Sequence, residues 1–134
     1  MAKLIYLQTI QSSSGKLTVF ENLLMGGIRR VFYIYDSVNV IRGRHRHRDS
    51  IHALCCVAGK CKVYVNNGEK EEIYYLDSPE KCLILEPHDW REMYDFDKKS
   101  ILLCMSNQFY DPEDYIEEPY TSTQKFRDYS FVLD

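Results

Sequence analysis

Apolar and polar residues alternate in short runs along most of the chain, and this pattern predicts an all-β fold. Successive side chains of a strand point to opposite faces, so a period of two indicates strands that bury one face. Turn-forming residues separate the runs at short, regular spacing, which is typical of a small antiparallel barrel or jelly roll. The predicted strands are 3–9, 16–20, 30–35, 42–48, 52–57, 61–65, 72–76, 82–85, 90–96 and 101–106.

The pattern changes after residue 110, where the residues of a helix start appear. Asp111 can accept the first free backbone N–H group, and Pro112 is favoured at the first helical position. Two acidic residues follow, which suits the positive end of the helix dipole. We therefore expect a short C-terminal helix that ends near Pro119, and a tail from Thr121 that packs loosely or against a partner subunit.

The composition indicates one soluble globular domain over residues 1–134. With 45% hydrophobic and 28% charged residues, the chain is long enough for one core and too short for two. A net charge of −3 argues against a general nucleic-acid or membrane binder, and no apolar run could cross a bilayer.

The cysteines fit a reducing, cytoplasmic compartment. Five is an odd number, and the spacings suit neither a zinc ribbon nor a disulfide framework. All lie in apolar strand-like runs, so we expect buried reduced thiols. They are Cys55, Cys56, Cys61, Cys82 and Cys104.

The predicted strand at 42–48 carries the candidate chemistry. Residues two apart in a strand share a face, so His45 and His47 point together into the fold. Gly43 precedes them, where a bulge or a close backbone approach is plausible. Two convergent imidazoles form either a proton-transfer site or half of a metal site.

The metal alternative starts from a resemblance to cupin jelly rolls, which usually bind a metal through His-x-His, a following Glu and a later His. The Glu is missing here, although His52 lies close to its place. Arg91 stands where the later ligand is expected, and a guanidinium would oppose a cation. Three imidazoles, those of His45, His47 and His52, can still hold zinc or iron, so a metal-dependent enzyme stays open as an alternative.

Without a metal, the histidine pair suits proton transfer, because an imidazole titrates near neutral pH. Tyr33, on the neighbouring aromatic strand, is a candidate third member that would relay a proton through its phenol. A core or rim position is the ordinary alternative for such a tyrosine.

Candidate groups for substrate binding are arginines and aromatic residues. Arg30, Arg42 and Arg91 are flanked by strand residues, and guanidinium groups match phosphates well. Trp90 and the tyrosines could form a stacking wall for a base or sugar. Solvated arginines and plain core packing of the aromatic residues are the alternatives.

The chain resembles the cupin-fold dTDP-4-oxo-6-deoxyglucose 3,4-ketoisomerases of deoxysugar biosynthesis over most of its length. The most specific part is the string WREMYDF. The segments that carry the resemblance are GKLTV at 15–19, RVFYIYD at 30–36, RG-x-H-x-H at 42–47, WREMYDF at 90–96 and YD-x-EDYI at 110–116.

The resemblance implies a metal-independent, cofactor-free isomerisation of a dTDP-4-oxo-6-deoxyhexose to its 3-oxo isomer through an enediol. It implies that His47 is the carbon acid/base, and that His45 and Tyr33 move the hydroxyl proton. It further implies a homodimer, and a pathway that often leads to a surface polysaccharide.

Two positions depart from the family pattern. His52 stands where the family commonly has glutamine, so this candidate substrate-binding residue is alternatively a supporting imidazole, a core imidazole or a sign of altered substrate. Arg91 follows Trp90 where some relatives have histidine, which favours the gluco over the galacto product. A nucleotide-sugar binding cupin without activity is a further alternative.

Overall fold

The computed structural model describes residues 1–121, which form twelve β-strands and one 3₁₀ turn. The predicted all-β fold is therefore confirmed. The strands are β1 Lys3–Tyr6, β2 Gln8–Ser12, β3 Gly15–Val19, β4 Arg30–Tyr35, β5 Arg42–His47, β6 His52–Ala58, β7 Cys61–Asn66, β8 Glu71–Leu76, β9 Lys81–Leu85, β10 Trp90–Tyr94, β11 Ile101–Ser106 and β12 Tyr115–Ile116.

Two five-stranded antiparallel sheets hold the core between them. Their strand orders are β1-β9-β6-β11-β4 and β12-β5-β10-β7-β8, and β2 pairs with β3 in a separate hairpin. The core draws apolar side chains from the inner faces of both sheets, as alternating strands require. Its buried members are Ile34, Leu54, Cys56, Cys61, Val63, Val65, Leu76, Leu83, Leu85, Met93, Phe96, Leu102 and Cys104.

Part of the outer face of each sheet is also covered by other side chains. Strands in these parts are buried on both faces and therefore show no clear alternation of apolar and polar residues. Along β6, the residues from His52 to Cys56 are all buried, because Leu7 and Leu24 pack over the outer face. On the other sheet, Trp90 packs against Tyr64 and Tyr94. The cysteines are all buried and none forms a disulfide.

The predicted short C-terminal helix is not confirmed. Asp111 does cap a turn, accepting from the Glu113 N–H at 3.0 Å, but the turn is a single 3₁₀ turn over Pro112–Asp114. The chain leaves it in extended form because Tyr115 pairs with His47 of β5. Pairing with an existing sheet replaces the helical hydrogen bonds that would follow. The tail from Thr121 lies almost wholly outside the described residues.

A bulge shapes β5 beside the histidines, as the glycine before them predicts. In the pairing with β10, Arg91 lies opposite His45 and Glu92 opposite Gly43, so Arg44 is an extra residue. Gly43 has φ +87° and Arg44 has φ +62°. Such positive values favour glycine at the first position and strengthen the local bend.

No helix in the described part of the chain is long and apolar enough to cross a membrane.

Candidate active site

A cavity of about 210 Å³ opens between the two sheets. Its wall carries three arginines and no carboxylate, so the cavity suits an anionic ligand. All thirteen residues of the wall belong to strands, and the imidazoles of His45 and His52 are among them. The lining residues are Arg30, Phe32, Ile34, Arg42, Gly43, His45, His52, Leu54, Leu85, Arg91, Met93, Cys104 and Tyr115.

His45 is the histidine of the predicted pair that reaches the cavity. Its Nδ1 lies 3.0 Å from the Gly43 carbonyl oxygen, which can only accept, so Nδ1 carries the proton in the neutral ring. The bulge brings that carbonyl into position. The Nε2 lone pair of His45 is therefore left to act as a base.

His47 lies behind His45 and is only 3% exposed. The two rings meet edge to face with centroids 4.9 Å apart, so the predicted convergence of the pair is confirmed. Nδ1 of His47 donates to Asp114 Oδ2 at 2.7 Å, and its Nε2 is buried without a partner among the described residues. A buried acceptor without a partner lowers the free energy of unfolding by about 1–3 kcal/mol, and such a cost is more often found at functional sites than in an ordinary core.

Asp114 anchors this pair and several backbone groups. It accepts from the N–H groups of Arg48 and Asp49 and from the Ser50 hydroxyl as well as from His47. Burial alone would raise the pKa of this carboxyl, but these hydrogen bonds together lower it to about 2. A negative charge is thus fixed behind the imidazoles.

His52 faces the cavity from β6 and contacts the Arg91 guanidinium. Arg91 Nη1 donates to His52 Nδ1 at 3.3 Å, so the neutral His52 ring carries its proton on Nε2. Arg91 also donates to the carbonyl oxygens of Asp89 and Glu86 at 2.9 and 3.0 Å. These bonds hold a cation in place, while burial lowers its pKa to about 10, so that it keeps its charge at neutral pH.

Burial lowers the pKa of all three imidazoles, and the charge of Arg91 lowers it further. From 6.5, the pKa falls to about 4 at His45, to about 3 at His47 and to about 2 at His52. The rings are therefore neutral at physiological pH, in the form that accepts protons.

Tyr115 completes the wall between the histidines and Arg30. Its ring centroid lies 4.8 Å from that of His45 and 4.6 Å from that of His47. Its hydroxyl oxygen accepts from Arg30 Nη1 at 3.3 Å. Arg42 lies at the exposed rim of the same cavity.

Tyr33 and Trp90, both predicted site residues, are not brought to this cavity within the chain. Tyr33 is 62% exposed on the outer face of β4, stacked on Tyr35, because its neighbours Phe32 and Ile34 face inward. Trp90 is buried on the outer face of its sheet, where Nε1 donates to Glu92 Oε2 at 2.7 Å. In each strand the side chain next to the predicted one faces the cavity instead: Phe32 or Ile34 rather than Tyr33, and Arg91 rather than Trp90.

The three imidazoles do not form a metal cage. No group of three or more His, Cys, Asp or Glu side chains in residues 1–121 is arranged to hold a metal ion. The Arg91 guanidinium contacts His52 Nδ1, and its positive charge would oppose a cation beside these rings.

The sequence reasoning missed Asp114 and Tyr115 as site residues. Both lie in the segment 110–116, which carried the family resemblance but was interpreted there as a helix start. Asp114 is 67 residues from its partner His47 along the chain, so no local spacing connects them.

Proteins similar to this chain are sugar-nucleotide ketoisomerases. Residues 1–129 match the family described as FdtA: WxcM-like, C-terminal. The TDP-4-oxo-6-deoxy-alpha-D-glucose-3,4-oxoisomerase of Aneurinibacillus thermoaerophilus is 32% identical over 127 residues, which cover 92% of this chain and 91% of that protein.

Two crystal structures extend the similarity to the fold. The TDP-quinovose 3,4-ketoisomerase WlaRB from Campylobacter jejuni has a TM-score of 0.82 at 32% identity, covering 87% of this chain and 92% of that one. A mutant of the 3,4-ketoisomerase QdtA from Thermoanaerobacterium thermosaccharolyticum, solved with TDP-4-keto-6-deoxyglucose, has a TM-score of 0.80 at 32% identity, covering 87% of each chain.

Proposed function

Because this chain belongs to the family described as FdtA: WxcM-like, C-terminal, we propose that it is a sugar-nucleotide 3,4-ketoisomerase. Its substrate is a dTDP-4-oxo-6-deoxyhexose, and its product carries the ketone at C3. The observation that carries this proposal is a cavity whose wall combines three arginines, no carboxylate and neutral imidazoles. Such a wall attracts a nucleoside diphosphate and offers a base to its sugar.

In the proposed reaction, His45 acts as the carbon base. The C4 ketone acidifies the C3 proton, which passes to the free Nε2 of His45 and gives an enediolate. The same imidazolium returns the proton at C4. The resemblance implied this role for His47, but the ring that lines the cavity is that of His45, and a base must come within hydrogen-bond reach of its proton.

His47 and Asp114 support the base electrostatically. The fixed charge of Asp114 favours the protonated form of His45, since it raises the pKa of that ring against the effect of burial. His47 connects the two, with one ring nitrogen on the carboxylate and its ring edge against His45. The pair thus stabilises the imidazolium that proton abstraction creates.

The arginines divide the binding of a dianionic substrate between them. Arg42, exposed at the rim, is the proposed partner of the diphosphate, and Arg30, bonded to the Tyr115 hydroxyl, is the proposed partner of the sugar. Arg91 is buried beside His52 and lies deeper, where its charge suits the enediolate oxygen. We also propose that Arg91 in this position gives the gluco configuration at C4.

We propose that the protein works as a cytoplasmic homodimer. Free buried thiols suit a reducing compartment. β4 is an edge strand, and Val31, Tyr33 and Tyr35 expose more than half of their surface on its outer face. An exposed apolar and aromatic face, on an edge that no other strand of residues 1–121 pairs with, supports contact with a second copy.

The function is tested by incubating purified protein, with and without prior treatment with a chelator, with dTDP-4-oxo-6-deoxyglucose in deuterated water. We expect a 3-oxo product whose NMR couplings give the C4 configuration, with deuterium at C4 in the fraction of turnovers in which the His45 imidazolium exchanges its proton with solvent before returning it. His45→Asn should abolish both the exchange and the product. Activity that disappears on chelation and returns with a metal would support the metal-dependent alternative, and saturable binding without exchange would support a binding protein.

A further inference from the structure

The proposed isomerisation moves two protons, and His45 accounts for one of them. The carbon-bound proton passes from C3 to C4, while the hydroxyl proton must pass from the C3 oxygen to the C4 oxygen. A group for the second transfer has to donate and accept at neighbouring oxygens, which suits a phenol or another weak acid. This inference rests on the proposed function and adds a catalytic residue to it.

The alternation of β4 turns the predicted Tyr33 away from the cavity of its own chain. Arg30, Phe32 and Ile34 face the cavity, and Tyr33 points away from it. A phenylalanine therefore stands at the inward position, and its ring has no proton to give. The hydroxyl proton must pass through another part of the wall.

The cavity wall offers one phenol, that of Tyr115, among the described residues. Cys104 is the other weak acid in the wall, but it is completely buried and burial raises its pKa to about 12. Its Sγ also lies 3.7 Å from the Leu102 carbonyl oxygen as a hydrogen-bond donor. Cys104 is therefore a poor shuttle compared with a half-buried phenol.

Arg30 holds the Tyr115 oxygen and would stabilise its ionised form. Nη1 of Arg30 donates to this oxygen at 3.3 Å. The guanidinium itself is fixed between two rings, 4.5 Å from the Phe32 centroid and 5.0 Å from that of Tyr110. A charge held in this way needs little reorganisation when a phenolate forms beside it.

The backbone places Tyr115 next to the carbon base. Tyr115 pairs with His47 where β12 joins β5, and its ring contacts both histidines. The phenol oxygen accepts from Arg30, and no described residue accepts its proton. That proton is free to be donated into the cavity.

We propose that Tyr115 is the catalytic acid–base that carries the hydroxyl proton. As His45 removes the C3 proton, the Tyr115 O–H bond breaks and its proton goes to the C4 oxygen, which gives the enediol and a phenolate paired with Arg30. The phenolate then takes the proton from the C3 oxygen while the C3 carbonyl forms and His45 protonates C4. Tyr115 ends the cycle with its proton restored, and no oxidant or reductant is consumed.

The test uses Tyr115→Phe, which keeps the ring against the histidines and removes only the hydroxyl group. We expect kcat to fall by about 100-fold or more, the usual contribution of a general acid–base group. KM and the dissociation constant for thymidine diphosphate should stay within about twofold of wild type, since the hydroxyl acts on the sugar.

Tyr120→Phe is the matched control, because the Tyr120 ring likewise contacts an arginine, Arg46, and its hydroxyl donates to the His88 carbonyl oxygen outside the cavity wall. It should keep kcat within about threefold of wild type. A Tyr115→Phe enzyme with full kcat, or with kcat and the nucleotide affinity lowered together, would overturn the inference. Inactive wild-type protein would instead overturn the proposed function.

Discussion

His45 and His52 lie beside the Arg91 guanidinium in a wall without carboxylates, and burial keeps both rings uncharged. His47 is neutral for the same reason, although a carboxylate contacts it. A buried neutral imidazole binds no proton at a pH at which the unfolded chain binds one. The chemistry of the site is therefore linked to the pH dependence of folding.

The free energy of unfolding should fall as the pH drops from about 6.5 to about 4. The pKa of each site histidine is lower in the folded state than in the unfolded chain, so the stabilisation is complete above the unfolded value and is lost below it. Three such groups give a slope of up to about 4 kcal/mol per pH unit, at about 1.4 for each. Urea unfolding at several pH values measures this slope.

His52→Gln should reduce the slope by about one third, because one group no longer titrates. A slope that is the same in wild type and in the His52 variant would contradict the assignment of a neutral buried ring.

Some site residues could be predicted from the sequence because a local rule identifies them. The period of two places His45 and His47 on one face, and the basic residues near them pointed to an anionic ligand. The inward face of β4 could not be predicted, because every residue after the arginine in the run RVFYIY is apolar or aromatic. Nothing in such a run shows whether residue 32 or residue 33 faces inward, and only packing against the facing sheet decides it.

Among the elements, the bulge in β5 controls the geometry of the base. Gly43 turns its carbonyl toward Nδ1 of His45 and runs close to β10. A Cβ atom at this position would lie 2.9 Å from the Arg91 carbonyl oxygen and 3.0 Å from Met93 Sδ. Space and backbone conformation thus both require glycine here.

Gly43→Ala should lower both stability and kcat. The positive φ costs about 1–2 kcal/mol for an L-residue, and the contact with β10 adds to it. The β5 backbone must move away from β10 to admit the methyl group, and this movement displaces His45. We therefore expect kcat to fall about tenfold or more. Thermal unfolding and steady-state kinetics on the same preparation measure the two effects.

Gly26→Ala provides the comparison, since Gly26 has φ +82° and no atom within 4 Å of an added Cβ. It should show the conformational cost alone, with kcat unchanged. Equal effects of the two substitutions on kcat would argue against a role of the bulge in positioning His45.

Most strands could be predicted from the sequence. The exceptions are segments whose structure depends on pairing with a strand that is distant in the sequence. Strands at 30–35 and 101–106 have the bounds that alternation predicts. The expected single strand at 3–9 divides at Leu7 into β1 and β2, which belong to different sheets. The expected helix at Asp111 stops after one turn because β12 joins β5, a contact that no local propensity reports.

At the scale of the whole molecule, the outer face of β4 is left uncovered within the described residues. β1 and β4 are the two edges of their sheet, and the apolar residues of β4 face outward beside its unpaired edge. The β2–β3 hairpin forms no ladder with either large sheet. These surfaces are the basis for expecting a second copy.

The protein should sediment at twice the chain mass of 15.9 kDa. Tyr35→Lys places a charge on the outer face of β4 and should shift the protein toward monomer, because burying an unpaired charge in an interface is costly. Tyr6→Lys is the control, since Tyr6 is exposed on β1 at the opposite edge of the same sheet. A wild-type monomer at micromolar concentration would exclude the dimer.

The extra residue in β5 has one more effect, on how tasks are shared along the chain. Arg42 and His45 are three positions apart, a separation that places two side chains on opposite sides of a regular strand, yet both line the cavity. Because Arg44 is an extra residue, it shifts the alternation of side chains by one position. One short segment therefore supplies both an anion-binding side chain, Arg42, and the base, His45. Shortening this segment by one residue should therefore separate ligand capture from turnover.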